Sequence, residues 1–495
     1  MRIPLDAHNT KPVYRQIEDW FRENIAAGGL PPETRLPSTR ELAVDLGVSR
    51  ITVKNAYAEL EGDGLIYTRA GSGTFIAPPL ETGRGDGSRA KTDWPLWQLD
   101  AAGESGPPIE MSWPFPAPAD TIAFIGVGDP REFPIKDFER TVREVFARDG
   151  IGALEYGGLH AGYYPLRETI ARILSSQGIS ARPDEVLVTT GSQQALALVC
   201  QTLLKPGDVI AVEKPTYNFA LELFRSLKLK IVGIPMDKQG MRVDDLEPIL
   251  QQHHPKMIYT MPVFQNPSGL CLSAPRRRQL LDLAERYNIP ILEDDFASDL
   301  RYEGKTLPAI KSLDSGGNVI YTGTFSKMLM PGLRIGYLLA DGPVFDRLVR
   351  QKWVQDLATS NLMQHVLDTY VTVGRYQAHL RRSTRLYRKR RDALLAATRH
   401  YLPPDTAYTI PHGGLFLWLR LPEGMPCLDL LPRALQAGVE FSPGTRYFPE
   451  PDEGNAHIRL NFATHTPEEI DEGIRRLGQV MARFRDQAGK KMTII

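Results

Sequence analysis

From about Thr121 onward the chain alternates short apolar segments with longer amphipathic ones, and this alternation restricts its fold more than any other feature. The short segments fall at 186–190, 209–212, 257–260, 289–294 and 319–322. Each has the length of a strand, and helical spacing follows it. Strands joined through helices pair side by side in one direction, so the pattern predicts a mostly parallel α/β sheet. Open sheets of this kind gather ligands at the carboxyl ends of their strands.

Upstream the composition shifts abruptly. Pro78 to Ala90 is rich in Pro, Gly and charge, a linker signature, and prolines without helical or strand period continue to about Asp120. The reading is therefore a small unit at 10–77, a linker at 78–120 and a large unit at 121–485. Trp94, Trp97 and Trp113 raise the expectation that part of the linker packs on a neighbour. With 495 residues, 42% of them hydrophobic and 24% charged, the chain is long enough for large cores, and collagenous or disordered classes are excluded. Lys plus Arg and Asp plus Glu both number 59, so nucleic-acid binding has to come from a local patch. No apolar run approaches the about 20 residues that span a bilayer, and the first residues lack a signal peptide's apolar core. A cytoplasmic protein without membrane contact is expected. Cys200, Cys271 and Cys427 lie far apart without ligand spacing, so neither a disulfide framework nor a metal site is expected.

In the small unit, apolar residues at 13, 17, 20, 21 and 25 give a helix with one buried stripe. Ser38 and Glu41 form a capping box that opens a second helix, which ends at Gly47. Ser49 caps a third helix with Val53, Ala56, Tyr57 and Leu60 inward and Arg50, Thr52, Lys54 and Asn55 outward. Residues 65–68 and 74–76 around the turn 70–73 make a hairpin. Such a third helix fits the major groove and such a hairpin the sugar-phosphate backbone, with Arg35, Arg40, Arg50, Lys54 and Arg69 as local cations. These segments closely resemble the winged helix-turn-helix of the GntR superfamily over residues 11–77. The resemblance implies binding to a double-stranded DNA operator through Arg40, Ser49, Arg50, Thr52, Lys54 and the wing at Gly71.

Five patterns stand out in the large unit. Ser192 and Gln193 follow Gly191 at a strand-to-helix turn, where free N–H groups suit a phosphate. Lys327 follows a strand among Thr324, Ser326 and Arg334, a setting in which an amine can form a Schiff base with an aldehyde cofactor beside donors for its phosphate. Asp294 ends an apolar strand and can hold a pyridinium proton. The amide of Asn266 can bond a ring hydroxyl, and Tyr217, just past a strand, can stack on a flat ring. Taken singly, these are also the residues of an ordinary turn, helix cap or surface lysine.

Together they resemble a fold-type I pyridoxal-phosphate aminotransferase over about residues 121–485. The resemblance implies pyridoxal 5'-phosphate as cofactor, Lys327 as its Schiff-base lysine, Asp294 on the pyridine nitrogen, Asn266 on the ring oxygen and Tyr217 stacked on the ring. Ser192, Gln193, Thr324, Ser326 and Arg334 would hold the phosphate, Arg459 would grip a substrate carboxylate, and Tyr156 would reach the phosphate in a neighbouring subunit. Phe296 stands where that family most often has a Tyr that donates to the ring oxygen. A GntR-type domain linked to an aminotransferase-like one resembles the MocR family of transcriptional regulators end to end. That resemblance implies a homodimer, often head-to-tail, that senses an amino acid or amine by Schiff-base exchange at Lys327. The alternative is an active aminotransferase with an accessory DNA-binding domain. The dense basic run 381–391 reads as a solvated helix face, or as a second contact to the DNA backbone through Arg388, Lys389 and Arg390.

Overall fold

The computed structural model describes residues 3–6, 11–69, 72–78, 96–98, 118–126, 128–157, 161–327 and 329–492, with side chains to 487. The chain divides into two compact units, Met1–Pro108 and Ile109–Ile495. That division falls inside the segment expected as linker, most of which, with Trp94 and Trp113, lies outside the described residues, while Trp97 is 68% exposed rather than packed away as expected.

The first unit contains helices α1 (Val13–Ala26), α2 (Thr39–Leu46) and α3 (Arg50–Gly62), then strands β1 (Ile66–Arg69) and β2 (Gly73–Ile76). Local chemistry fixes the boundaries. Ser38 and Glu41 complete the capping box, Gly47 ends α2 at φ 65°, and the Ser49 hydroxyl accepts the Thr52 N–H at 3.1 Å. β1 and β2 pair antiparallel with Ile66 opposite Ile76. Ile17, Phe21, Leu42, Val53, Ala56, Tyr57 and Leu60 close one core. The stripe on α1 is narrower than its spacing suggests, because Val13 lies outside the core at 37% exposure.

The second unit is built on an eight-stranded sheet. Its strands are β4 (Val186–Thr189), β5 (Val209–Lys214), β6 (Lys230–Asp237), β7 (Gly240–Met241), β8 (Met257–Thr260), β9 (Ile291–Asp295), β10 (Val319–Thr324) and β11 (Gly336–Leu339). They lie in the order β4-β11-β10-β9-β8-β5-β6-β7. The run β10-β9-β8-β5-β6 is parallel, as the alternation predicts, whereas β11 and the short β7 are antiparallel to their neighbours. Every residue of β4, β8 and β11 is buried, which suits a sheet covered on both faces. A smaller antiparallel sheet carries β12 (Ala407–Tyr408), β13 (Phe416–Arg420), β15 (Ser442–Pro443) and β16 (His457–Asn461) in the order β12-β13-β16-β15. Strand β3 (Ile122–Ala123) pairs with β14 (Val439–Glu440), so the start of this unit is tied to its far end. No helix among the described residues is long and apolar enough to cross a membrane.

The basic run lies in helix Arg375–Tyr401 and is not a uniformly solvated face. Arg390 is 2% exposed. It donates to Asp129 at 2.7 Å and to the Ala463 carbonyl. Arg391 is also buried and donates to Glu303 and to the Pro411 carbonyl. Arg390 is thus unavailable to DNA, and only the exposed members, including Arg388 and Lys389, face solvent. Removing one partner of a buried ion pair leaves the other charge poorly compensated. Arg390→Ala is therefore expected to cost about 3 kcal/mol in denaturant unfolding, against under about 0.5 for Lys389→Ala.

Candidate functional site

Most of the expected ligand-binding residues of the large unit lie at one edge because they follow or end strands at the carboxyl edge of the eight-stranded sheet, the exceptions being Arg459 and Tyr156. Thr190 to Gln193 follow β4, Tyr217 follows β5, Asn266 lies beyond β8, Asp294 is in β9, and Lys327 is three residues past β10. Arg459 comes from β16 of the smaller sheet. Its guanidinium donates to Asn266 Oδ1 at 2.9 Å and lies 4.0 Å from the Phe416 ring centroid. Since Asn266 Oδ1 is occupied, the amide N–H2 remains to donate.

Asp294 is buried, and Tyr259 donates to its Oδ2 at 2.8 Å. Its Oδ1 is buried without a hydrogen-bond partner among the described residues. Burial pushes this carboxyl up from 3.8 to about 7, Tyr259 and Lys327 opposing and Asp295 reinforcing. Lys327 moves the other way, down from 10.5 to about 8, through burial and then the charges of Arg459 and Arg334, with Asp294 opposing. Burial also pulls Arg459 down and Tyr217 up from their ordinary values.

The Asp294 shift has a sign that can be measured. Between about pH 4 and 7 the unfolded chain ionises this carboxyl while the cofactor-free fold still holds its proton. Stability contributed by the protonated group is therefore lost as pH rises through that window, by an amount on the order of a few kcal/mol. Asp294→Asn, uncharged throughout, should raise the melting temperature of cofactor-free protein above pH 7 and change it little at pH 4. Equal shifts at both pH values would reject the assignment.

Gly191 turns into helix Ser192–Leu203 at φ 88°. A Cβ there would meet Arg334 Nη2 at 2.6 Å, so glycine allows the guanidinium to lie against the turn. Arg334 also donates to the Thr190 carbonyl at 3.0 Å. The Ser326 hydroxyl is buried without a partner among the described residues, and its N–H donates to Thr324 Oγ1. The Gln193 amide instead donates to the Phe219 carbonyl at 3.1 Å, which leaves its backbone N–H at the helix start for an anion. Tyr156 is 79% exposed. Phe296 is buried and stacked on Phe416 at 6.1 Å.

Sequence reasoning missed two groups in this pocket. Tyr259, which fixes Asp294, sits within an apolar strand and reads as core. Glu213, at the end of β5, accepts from Thr260 Oγ1 and the Met261 N–H, and burial pushes it up to about 7. It ties the loop that leads to Asn266 back to β5. In the first unit Arg40, Ser49, Arg50 and Lys54 are exposed and Thr52 half-buried. The Ser49 and Thr52 hydroxyls lie 2.8 Å apart. Gly71 lies outside the described residues.

Fold and site together define a fold-type I transferase unit that follows a winged helix-turn-helix unit. Residues 125–477 match the family "Aminotransferase class I and II" and residues 13–76 match "Bacterial regulatory proteins, gntR family". Aromatic-amino-acid aminotransferase 1 of Thermococcus litoralis is 39% identical over 73% of this chain and 88% of that protein. The probable rhizopine catabolism regulatory protein MocR of Rhizobium meliloti is 33% identical over 96% of this chain and 95% of its own length. Among solved structures, α-aminoadipate aminotransferase LysN of Thermus thermophilus, complexed with N-(5'-phosphopyridoxyl)-L-leucine, superposes with a TM-score of 0.70. It is 33% identical and covers 74% of this chain and 94% of that one. The chain therefore belongs to the MocR family of transcriptional regulators, a GntR-type DNA-binding domain fused to a class I and II aminotransferase domain. Pyridoxal 5'-phosphate is the cofactor this family implies, and the residues present fit it. Asp294 Oδ1 and Ser326 Oγ lack partners among the described residues, and Gly191 lets the Arg334 guanidinium, a donor suited to a phosphate, lie against the start of helix Ser192–Leu203.

Proposed function

We propose that the large unit holds pyridoxal 5'-phosphate at Lys327 and senses an amino acid or amine, whose binding alters how the winged helix units engage an operator. The observation that carries this reading is that the buried Lys327 amine lies within electrostatic reach of the Arg459 guanidinium and of Asp294, whose Oδ1 has no hydrogen-bond partner among the described residues. When bound, pyridoxal phosphate supplies an aldehyde that captures primary amines and a ring that draws electrons from the captured carbon. Asp294 Oδ1 would accept the ring N–H, with Tyr259 keeping the other oxygen in place. Asn266 would donate to the ring oxygen, and Tyr217 would cover the ring face. Ser192, Gln193 (through its backbone N–H), Thr324, Ser326 and Arg334 would hold the phosphate. The partly neutral Lys327 amine serves as nucleophile and proton carrier, and Arg459 selects ligands bearing a carboxylate.

Tyr156 lies among other exposed apolar residues, Ile151 at 78% and Leu154 at 62%. This supports a homodimer in which Tyr156 reaches the phosphate site of a second copy, and the family resemblance extends this to a head-to-tail arrangement. A ligand shifts such an assembly only if it binds one of two states better, and about 1–3 kcal/mol of difference suffices. On the DNA side, Arg50→Ala and Lys54→Ala should each weaken operator binding by about tenfold. A substitution that removes a phosphate contact should also lower the slope of log affinity against log salt by about one. Unchanged affinity in both variants would remove α3 from the interface.

The test titrates holoprotein with amino acids and amines, each with and without a keto acid, following cofactor absorbance and operator affinity together. A ligand that changes both, without turnover, supports the sensor. Sustained production of new keto and amino acids would favour the second reading, an active aminotransferase with an accessory DNA-binding domain. That reading draws on the presence of Lys327, Asp294 and Arg459 together.

A further inference from the structure

We infer that Asp356 is a positioning residue for the phosphate-holding turn at Gly191, acting through Gln194 and Thr190. The inference rests on the cofactor reading proposed above. Asp356 ends helix Pro343–Asp356. Its Oδ2 accepts the Gln194 amide at 2.7 Å and lies 3.4 Å from Thr190 Oγ1, and its Oδ1 accepts Lys352 Nζ at 2.9 Å. Gln194 uses its other end as well, its Oε1 accepting the Thr190 N–H at 2.7 Å. The Thr190 carbonyl in turn accepts from Arg334, the guanidinium packed against Gly191. A continuous series of hydrogen bonds thus runs from Asp356 to the cation that faces the turn.

Two further features tie this corner down. Lys352 is 1% exposed, and Asp356 offsets the cost that burial imposes on its charge. Immediately after Asp356 the backbone makes a γ-turn of the rare positive-φ hand. Leu357 has φ 61° and ψ −53°, and the Ala358 N–H meets the Asp356 carbonyl at 2.6 Å. A leucine pays a steric penalty there, and it is 52% exposed, so burial does not compensate. What holds the turn is its neighbourhood. Buried Thr359 lies 3.3 Å from Thr190 Oγ1, and its carbonyl accepts from Gln364. Both sides of the strained turn therefore converge on Thr190.

The test compares pyridoxal phosphate with pyridoxal, which lacks the phosphate, by equilibrium titration of full-length wild type, Asp356→Asn and Gln194→Leu. Both variants should bind pyridoxal phosphate about tenfold more weakly and pyridoxal within about twofold of wild type. Equal weakening for both compounds would show a general structural role and overturn the inference, as would no weakening at all. If Asp356→Asn does not fold, Gln194→Leu, which removes no charge, decides alone. A wild-type protein that binds neither compound would instead overturn the cofactor reading beneath the inference.

Discussion

Replacing Lys327 by alanine should abolish covalent capture of the cofactor. Borohydride treatment of holoprotein is expected to fix one cofactor per chain in wild type and none in Lys327→Ala, read by mass spectrometry. The chemistry requires a neutral amine, and burial with the nearby charges of Arg459 and Arg334 brings Lys327 down to about 8. Near neutral pH a usable fraction is therefore unprotonated, which would not hold for a solvated lysine. Capture in wild type should fall as pH drops well below that value. Alanine removes the nucleophile while leaving Asp294, Asn266 and the Gly191 turn in place, so noncovalent binding should persist more weakly. Cofactor fixed to Lys327→Ala at the wild-type ratio would place the reactive amine elsewhere.

Arg459→Ala should be the most damaging change for ligand recognition. Arg459 is buried, its Nε lacks a partner among the described residues, and its Nη1 is spent on Asn266. A carboxylate bound here would gain charge-assisted hydrogen bonds from a buried guanidinium, and losing them is expected to cost about 2–5 kcal/mol, roughly 30- to 4,000-fold in affinity. The loss should be confined to amino acids, with amines that lack a carboxylate little changed. Arg459→Lys should recover only part of it, because an ammonium cannot present two parallel donors. Equal losses for an amino acid and its decarboxylated amine would show that Arg459 only supports Asn266.

Residues whose role depends on local sequence were legible. Ser38, Gly47 and Ser49 announce the ends of α2 and α3 because caps act within one turn. Of the parallel run, β5, β8, β9 and β10 were visible as apolar segments while β6 was not singled out, and most ligand-site candidates were visible because they lie near the ends of such segments. Roles set by partners far along the chain were hidden. Arg390 reads as one more charge in a basic run, yet its carboxylate, Asp129, is 261 positions away. Tyr259 reads as core because nothing near it in sequence shows that Asp294, 35 residues on, accepts a hydrogen bond from its hydroxyl. The antiparallel insertion of β11 between β4 and β10 escaped for the same reason, since an apolar segment does not declare its direction. Gln194 and Gln193 are neighbours of one type, and only packing decides that one braces the turn while the other bonds Phe219.

The exposure of Tyr156 has a consequence for the cell as much as for the site. If one chain's phosphate site is completed by a side chain from another, cofactor affinity is no longer a fixed constant of the polypeptide. It rises and falls with the amount of protein present, because dilution that separates the copies also opens their pockets. A regulator made in few copies would then read its own abundance along with its ligand, and a modest rise in expression would load the cofactor without any change in the vitamin supply.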